Sequence, residues 1–105
     1  MKLDSNGYAP SLFKTSDEEC YLCGGLNGGQ LVRHEVLYGS NRENSKQYGL
    51  WIYVCPEPFC HKMIHNDAEK FAYLKAEAQA LFEEAHPDLD FMEIFGRNYL
   101  ENKRL

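Results

Sequence analysis

The sequence predicts a small α+β domain, and three observations lead there. Two short segments rich in branched and aromatic residues flank a polar stretch, the pattern of a strand pair. A longer segment nearer the C-terminus repeats apolar residues at helical spacing. Two cysteine pairs bracket the strand region, in a chain of 105 residues whose core must be modest.

In chain order, residues 1–19 form an N-terminal arm. They carry Asn6-Gly7 and Ala9-Pro10 and end in the polar run TSDEE, which reads as a loosely structured segment. Residues 20–100 form the domain and residues 101–105 a tail. In CYLCGG, residues 20–25, the glycines allow a tight turn that brings Cys20 and Cys23 together. Asn27-Gly28-Gly29 is a second turn. Residues 30–38, QLVRHEVLY, read as the first strand, residues 39–49 as a polar loop, and residues 50–55, LWIYVC, as the second strand. Pro56 and Pro58 end that strand, and residues 59–65 suit one or two helical turns. Asn66-Asp67 offers an N-cap for a helix over residues 68–85. Phe71, Leu74, Ala78, Leu81, Phe82 and Ala85 give that helix one buried face, and His86-Pro87 ends it. Asp88 caps a short final helix through Phe95, with Gly96 at its C-terminal end.

Composition narrows the function classes. Hydrophobic residues make up 44% and charged residues 26%, a globular balance. No apolar run approaches the length of a membrane span, and the first residues lack the apolar segment of a secretory signal. The expectation is a cytoplasmic protein, where thiols stay reduced and paired cysteines more often bind metal than each other. A net charge of −5 argues against a coat that holds nucleic acid by charge alone. The charge is uneven: residues 33–75 hold six Lys/Arg against five Asp/Glu, and residues 76–105 hold three against seven. A polyanion would be handled by the middle of the chain, with help from a metal ion.

Cys20-x2-Cys23 and Cys55-x4-Cys60 supply four thiolates, enough to surround Zn²⁺ tetrahedrally. The bland alternatives are four unconnected buried cysteines or two disulfides. In so short a chain a structural zinc would fix the arm and strand pair onto the helical part. His61 and His65, at i and i+4, share one helix face and are near enough to bind one ion. They also read as surface histidines, and either one as a replacement for a cysteine in the zinc shell. The adjacency of Cys60 and His61 favours the ion, because zinc at Cys60 would pin the start of the helix. Upstream, His34 falls in the first strand and Asn41 in the loop, with Arg42 and Lys46 beside it. Taken singly, a strand histidine reads as a buried hydrogen-bonded residue and a loop asparagine as a turn former.

The order His34, Asn41, His61 and His65, bracketed by cysteine pairs, resembles the HNH nucleases. In that family a strand hairpin and a helix clasp one catalytic metal (the ββα-metal fold, treble-clef-like), often braced by a four-cysteine zinc. The chain is similar to the small HNH-like proteins encoded by phages and prophages of Gram-positive bacteria. The residues that carry the likeness are RHEVLYGSNRENSKQYGLWIYVCPEPFCHKMIH and the later IFGRNYL, within residues 20–100. The resemblance implies a ββα-metal core over residues 20–66, additional C-terminal helices over 67–100, and hydrolysis of DNA in the cytoplasm of a bacterial host. It implies that His34 activates water, that Asn41 fixes the loop and the orientation of that histidine, and that His61 and His65 hold Mg²⁺, Mn²⁺ or another divalent ion. Cys20, Cys23, Cys55 and Cys60 match the structural zinc cysteines. The chemistry suits the assignment, since a phosphodiester is an anion whose cleavage needs an activated water and charge neutralisation. A neutral imidazole titrates near working pH and can take the proton. Arg33, Arg42, Lys46 and Lys62 are placed to touch phosphates.

One position departs from the family. Many relatives carry His or Asp just before the base histidine as a further ligand, and here it is Arg33, which cannot ligate a metal. Then His61 and His65 hold the ion with water and substrate, or Glu35 joins them, or the register shifts to make His34 a ligand. Otherwise Arg33 binds phosphate itself and catalysis is weak or lost. Strand alternation puts Arg33 and Glu35 opposite His34, which disfavours Glu35. The competing expectation is a zinc-braced module that binds nucleic acid or a protein partner without cutting. A third reading makes every histidine a zinc ligand or core residue. DNA is the expected substrate, no membrane is involved, and no oligomeric state is predicted.

Overall fold

The computed structural model describes residues 3–25, 30–56, 60–67 and 69–100, the side chain of His65 excepted. Two strands, β1 (Val32–Glu35) and β2 (Trp51–Val54), pair antiparallel, with His34 opposite Ile52 and Arg33 opposite Tyr53. Among the described residues four α-helices join them in the α+β domain: α1 (Arg42–Gln47), α2 (Cys60–Asn66), α3 (Ala72–Ala85) and α4 (Phe91–Phe95). Alternation along the strands sends His34, Ile52 and Val54 to a covered inner face, where Ile64, Leu74, Phe82 and Phe91 build the core. Among the described residues no helix is long and apolar enough to cross a membrane.

The first strand is shorter than the expected residues 30–38, and the expected polar loop is largely helical. After Glu35 the chain leaves the ladder, and a 3-10 turn (Gly39–Asn41) leads into α1. The reason is one side chain. Ser45, fully buried, accepts from the Leu37 N–H at 3.1 Å and donates to the Leu37 carbonyl at 2.6 Å. It thereby supplies both bonds that a strand neighbour would have made.

The third helix begins at Ala72, later than residue 68, because Asn66 and Asp67 are used elsewhere. Asn66 closes α2, while Asp67 accepts from the Lys70 N–H through its side chain and from the Phe71 N–H through its carbonyl. Phe71, Leu74, Ala78 and Phe82 are buried as expected, whereas Leu81 is half-buried and Ala85 exposed. Gln79 joins the buried face because its amide is fully used: Oε1 accepts from the Tyr99 N–H, and Nε2 donates to Asn98 and Glu83. The final helix is capped by Asp90 rather than Asp88, its carboxylate accepting from the Met92 N–H at 3.0 Å. Gly96 closes it as expected. The expected turn at 27–29, the position of Pro58 and the tail at 101–105 lie outside the described residues.

The arm, expected to be loose, is packed along the domain. Ala9 and Phe13 are buried. The Ala9 N–H donates to the Lys46 carbonyl, Leu12 N–H to the Gly49 carbonyl, and the Trp51 indole N–H to the Ala9 carbonyl, each at 2.8 Å. Ser11 donates to the Trp51 carbonyl, and Thr15 accepts from the Tyr53 N–H. Short polar side chains that read as disorder in sequence are therefore fitted to backbone groups of β2.

Gly49 makes this docking possible. It has φ +73°, and a Cβ there would stand 2.2 Å from the Pro10 carbonyl oxygen. Gly49→Ala is therefore expected to cost about 1–2 kcal/mol in backbone strain alone, and to push the arm off as well. Limited proteolysis read by mass spectrometry should show new cleavage within residues 3–19. An arm as protected as in the parent chain would contradict this account.

Candidate metal centre and the adjoining histidine cleft

The first cysteine pair sits in a closed turn. Cys20 N–H donates to the Gly25 carbonyl and Gly24 N–H to the Cys20 carbonyl, each at 2.9 Å, with Gly24 at φ +73°. Tyr21 N–H donates to the Tyr53 carbonyl, which fixes this turn to β2. Cys55 directly follows β2, Cys60 opens α2, and the His61 N–H donates to the Cys55 carbonyl at 3.0 Å across the gap between them. Strand, turn and helix thus aim four sulfurs at one point.

All four Sγ atoms lie within 4.8 Å of one another, and those of Cys23 and Cys55 are 3.7 Å apart. Zinc–sulfur bonds of about 2.3 Å in a tetrahedron place neighbouring sulfurs about 3.8 Å apart, so the cage has the right size. A disulfide needs about 2.05 Å, and none of the four cysteines is disulfide-bonded. Cys20, Cys55 and Cys60 are buried and Cys23 is exposed. Burial, then the thiols of Cys23 and Cys20, push Cys55 upward, and burial with the same neighbours does so for Cys60. Burial also works against the Cys20 thiolate, but hydrogen bonds from the backbones of Cys23, Cys55 and Leu22 outweigh it and bring Cys20 to about 7. Such a cluster gathers negative charge badly by itself and well around a cation. The four cysteines can hold a metal ion such as zinc, and they meet without a histidine in the set. Among the described side chains they are the one group of three or more such ligands.

One residue beyond Cys60 the chain enters a second site. The ring of His61 lies 5.3 Å from that of His34, nearly perpendicular to it, and His34 is 5.8 Å from the ring of Tyr38. His34 is 2% exposed, while His61 is half-buried. A cleft of about 510 Å³ opens over them, with Tyr8, Arg33, Glu35 and Arg42 among its walls. His65 follows one turn later on α2, its side chain outside the described residues. Asn41 stands at the end of the 3-10 turn, where its Nδ2 donates to the Phe95 carbonyl at 2.9 Å and its Oδ1 accepts from Asn44. Asn44 donates in turn to the Ile94 carbonyl, so two amides tie this turn to the end of α4.

Arg33 faces away from His34, as alternation requires. Its guanidinium donates to Asp4 at 2.8 Å and lies 4.3 Å from the Tyr8 ring centroid and 4.8 Å from that of Trp51. Glu35 is engaged on both oxygens, accepting from the Tyr8 hydroxyl and from Arg42 Nε at 3.1 Å. Burial first, and then the Glu35 carboxylate, hold Tyr8 up at about 12. Lys46 lies 3.7 Å from Glu43 and 5.0 Å from the Tyr8 ring, and Lys62 is exposed on α2. Tyr8 is thus the hub of one cleft wall. Sequence reasoning missed it because only the packed arm brings it across 27 residues to Glu35.

No family model, curated protein or solved structure matches the chain.

Proposed function

We propose that the protein is a metal-dependent HNH-type endonuclease that hydrolyses DNA phosphodiester bonds, of the small phage- and prophage-encoded kind, acting in the cytoplasm of a bacterial host. The observation that carries this reading is the meeting of His34 and His61 under an arginine-edged cleft, one residue from the four-cysteine cage. In this reading β1, β2 and α2 form the ββα-metal core, and the cysteines hold its structural zinc. His34 takes the proton from the attacking water, and its burial in the strand pair keeps the ring oriented. His61 and His65 would hold a Mg²⁺, Mn²⁺ or other divalent ion, which when bound supplies charge neutralisation at the phosphoryl oxygens. Asn41 keeps the turn after β1 in place through α4. Arg33, held by Asp4 and Tyr8 in the cleft wall, is not a ligand, and Glu35 is already spent on Tyr8 and Arg42. Arg42 and Lys62, the more exposed cations, are the first to meet phosphate.

Supercoiled plasmid incubated with the protein and Mg²⁺, Mn²⁺, Ni²⁺ or Zn²⁺ should relax to the nicked form with at least one ion, and chelation should stop it. Absence of nicking with every ion would sink the nuclease and leave the second reading, a zinc-braced module that binds nucleic acid or a protein partner. That reading draws on the net charge of −5 and on the pairing of Arg33, Arg42 and Lys46 with carboxylates.

A further inference from the structure

Three of the four cations that the sequence places near phosphate are matched by acids: Arg33 by Asp4, Arg42 by Glu35 and Lys46 by Glu43. A phosphate that reaches any of them must displace or share a carboxylate. Lys75, on α3, is placed differently. Its ammonium lies 4.8 Å from the centroid of the Tyr38 ring and 5.8 Å from that of Tyr99. Among the described residues no carboxylate comes within ion-pair distance of it. Aromatic faces hold an ammonium in place with about 0.5–1 kcal/mol at exposed sites, and they leave its full charge available.

The location gives that charge a use. Tyr38 is the ring that packs beside His34, at 5.8 Å, so Lys75 and His34 lie on the same tyrosine. The three residues close around a niche of only about 10 Å³, backed by Ile64 and Leu74. So little free volume means that the Lys75 and His34 side chains pack closely about Tyr38.

We propose that Lys75 is a phosphate-binding residue for the DNA strand that enters the histidine cleft, positioned by Tyr38 and Tyr99. This rests on the nuclease reading for its substrate, and it gives α3, which lies outside the ββα core of that reading, a part in binding. The residues that the sequence offered for phosphate lie on β1, α1 and α2, and α3 supplies a further one from the side of Tyr38.

The test is the salt dependence of DNA binding. A short fluorescein-labelled duplex is titrated with the zinc-loaded protein by anisotropy, without further divalent ions, over a series of salt concentrations. Each phosphate contact contributes about 0.9 to the slope of log K against log salt on duplex DNA. Lys75→Gln is expected to weaken binding and flatten the slope by about one contact, Lys75→Arg to restore it, and Lys14→Gln to change neither. Melting curves establish that the variants fold. If the parent chain binds and Lys75→Gln keeps its slope, the proposal is overturned whether or not the protein nicks plasmid. A Lys75-dependent slope in a protein that never nicks upholds the contact and overturns the nuclease. A parent chain that does not bind DNA overturns both.

Discussion

Cys55→Ser is expected to abolish metal binding at the cysteine cage and to unfold most of the protein. Cys55 is 5% exposed, directly follows β2, and stands 3.7 Å from Cys23 across the cage. Serine there offers a poor zinc ligand and leaves a buried hydroxyl where a thiolate was. Binding of structural zinc contributes about 10–16 kcal/mol in small zinc-finger peptides at neutral pH, against a net stability of about 5–15 kcal/mol for a typical domain. Losing that term exceeds what a core of this size can absorb. The cage also joins the turn at Cys20, the end of β2 and the start of α2, beside the backbone bonds from Tyr21 to Tyr53 and from His61 to Cys55. Elemental analysis should find about one zinc per parent chain and almost none in the variant, with a loss of helical circular dichroism. Cys23→Ser, at the exposed corner, should lower zinc affinity while keeping more of the fold. A Cys55→Ser chain that melts like its parent without zinc would show the cage to be dispensable.

His34→Gln is expected to lower plasmid nicking by about 10²–10⁴-fold, a barrier increase of about 3–5 kcal/mol. Glutamine is the better test than alanine. His34 is buried against Ile52, and truncating it would leave a cavity whose cost would blur the result. Glutamine keeps volume and hydrogen bonding but cannot take a proton at working pH. Single-turnover nicking at a fixed divalent ion gives the rate, and the denaturation midpoint shows that the chain is folded. Nicking at the parental rate in a folded variant would remove His34 from the chemistry.

How legible these features are depends on the physics that makes them. The cysteine cage is readable because ligand spacing is local: a tight turn and a strand-to-helix junction each deliver two sulfurs. The strand positions of His34 and Arg33, on opposite faces, follow from alternation alone. The helix α1 is not readable, because its one buried side chain is Ser45, and a polar anchor leaves no apolar period. The start of α3 is misread because Asn66 and Asp67 are good caps that the end of α2 and the following turn take first. The arm's place and the Tyr8 hub depend on contacts far apart in sequence, such as Ser11 with Trp51, 40 residues on. Gln79 gives no sign of burial in sequence, since two of its three amide bonds come from the distant Asn98 and Tyr99.

The packed arm has one more consequence, for a chain that meets its own copies. The side of β2 away from β1 offers the Trp51 carbonyl and both the N–H and carbonyl of Tyr53, and these are taken by Ser11, Thr15 and Tyr21. On this edge the chain's own N-terminal segment stands where a strand of a neighbouring molecule would otherwise pair. Those closing residues precede β2 by 30 to 40 positions, so a nascent chain exposes the edge until its beginning folds back. The arm therefore guards this edge of β2, and a chain whose arm is displaced, as by Gly49→Ala, is expected to aggregate more readily than its parent.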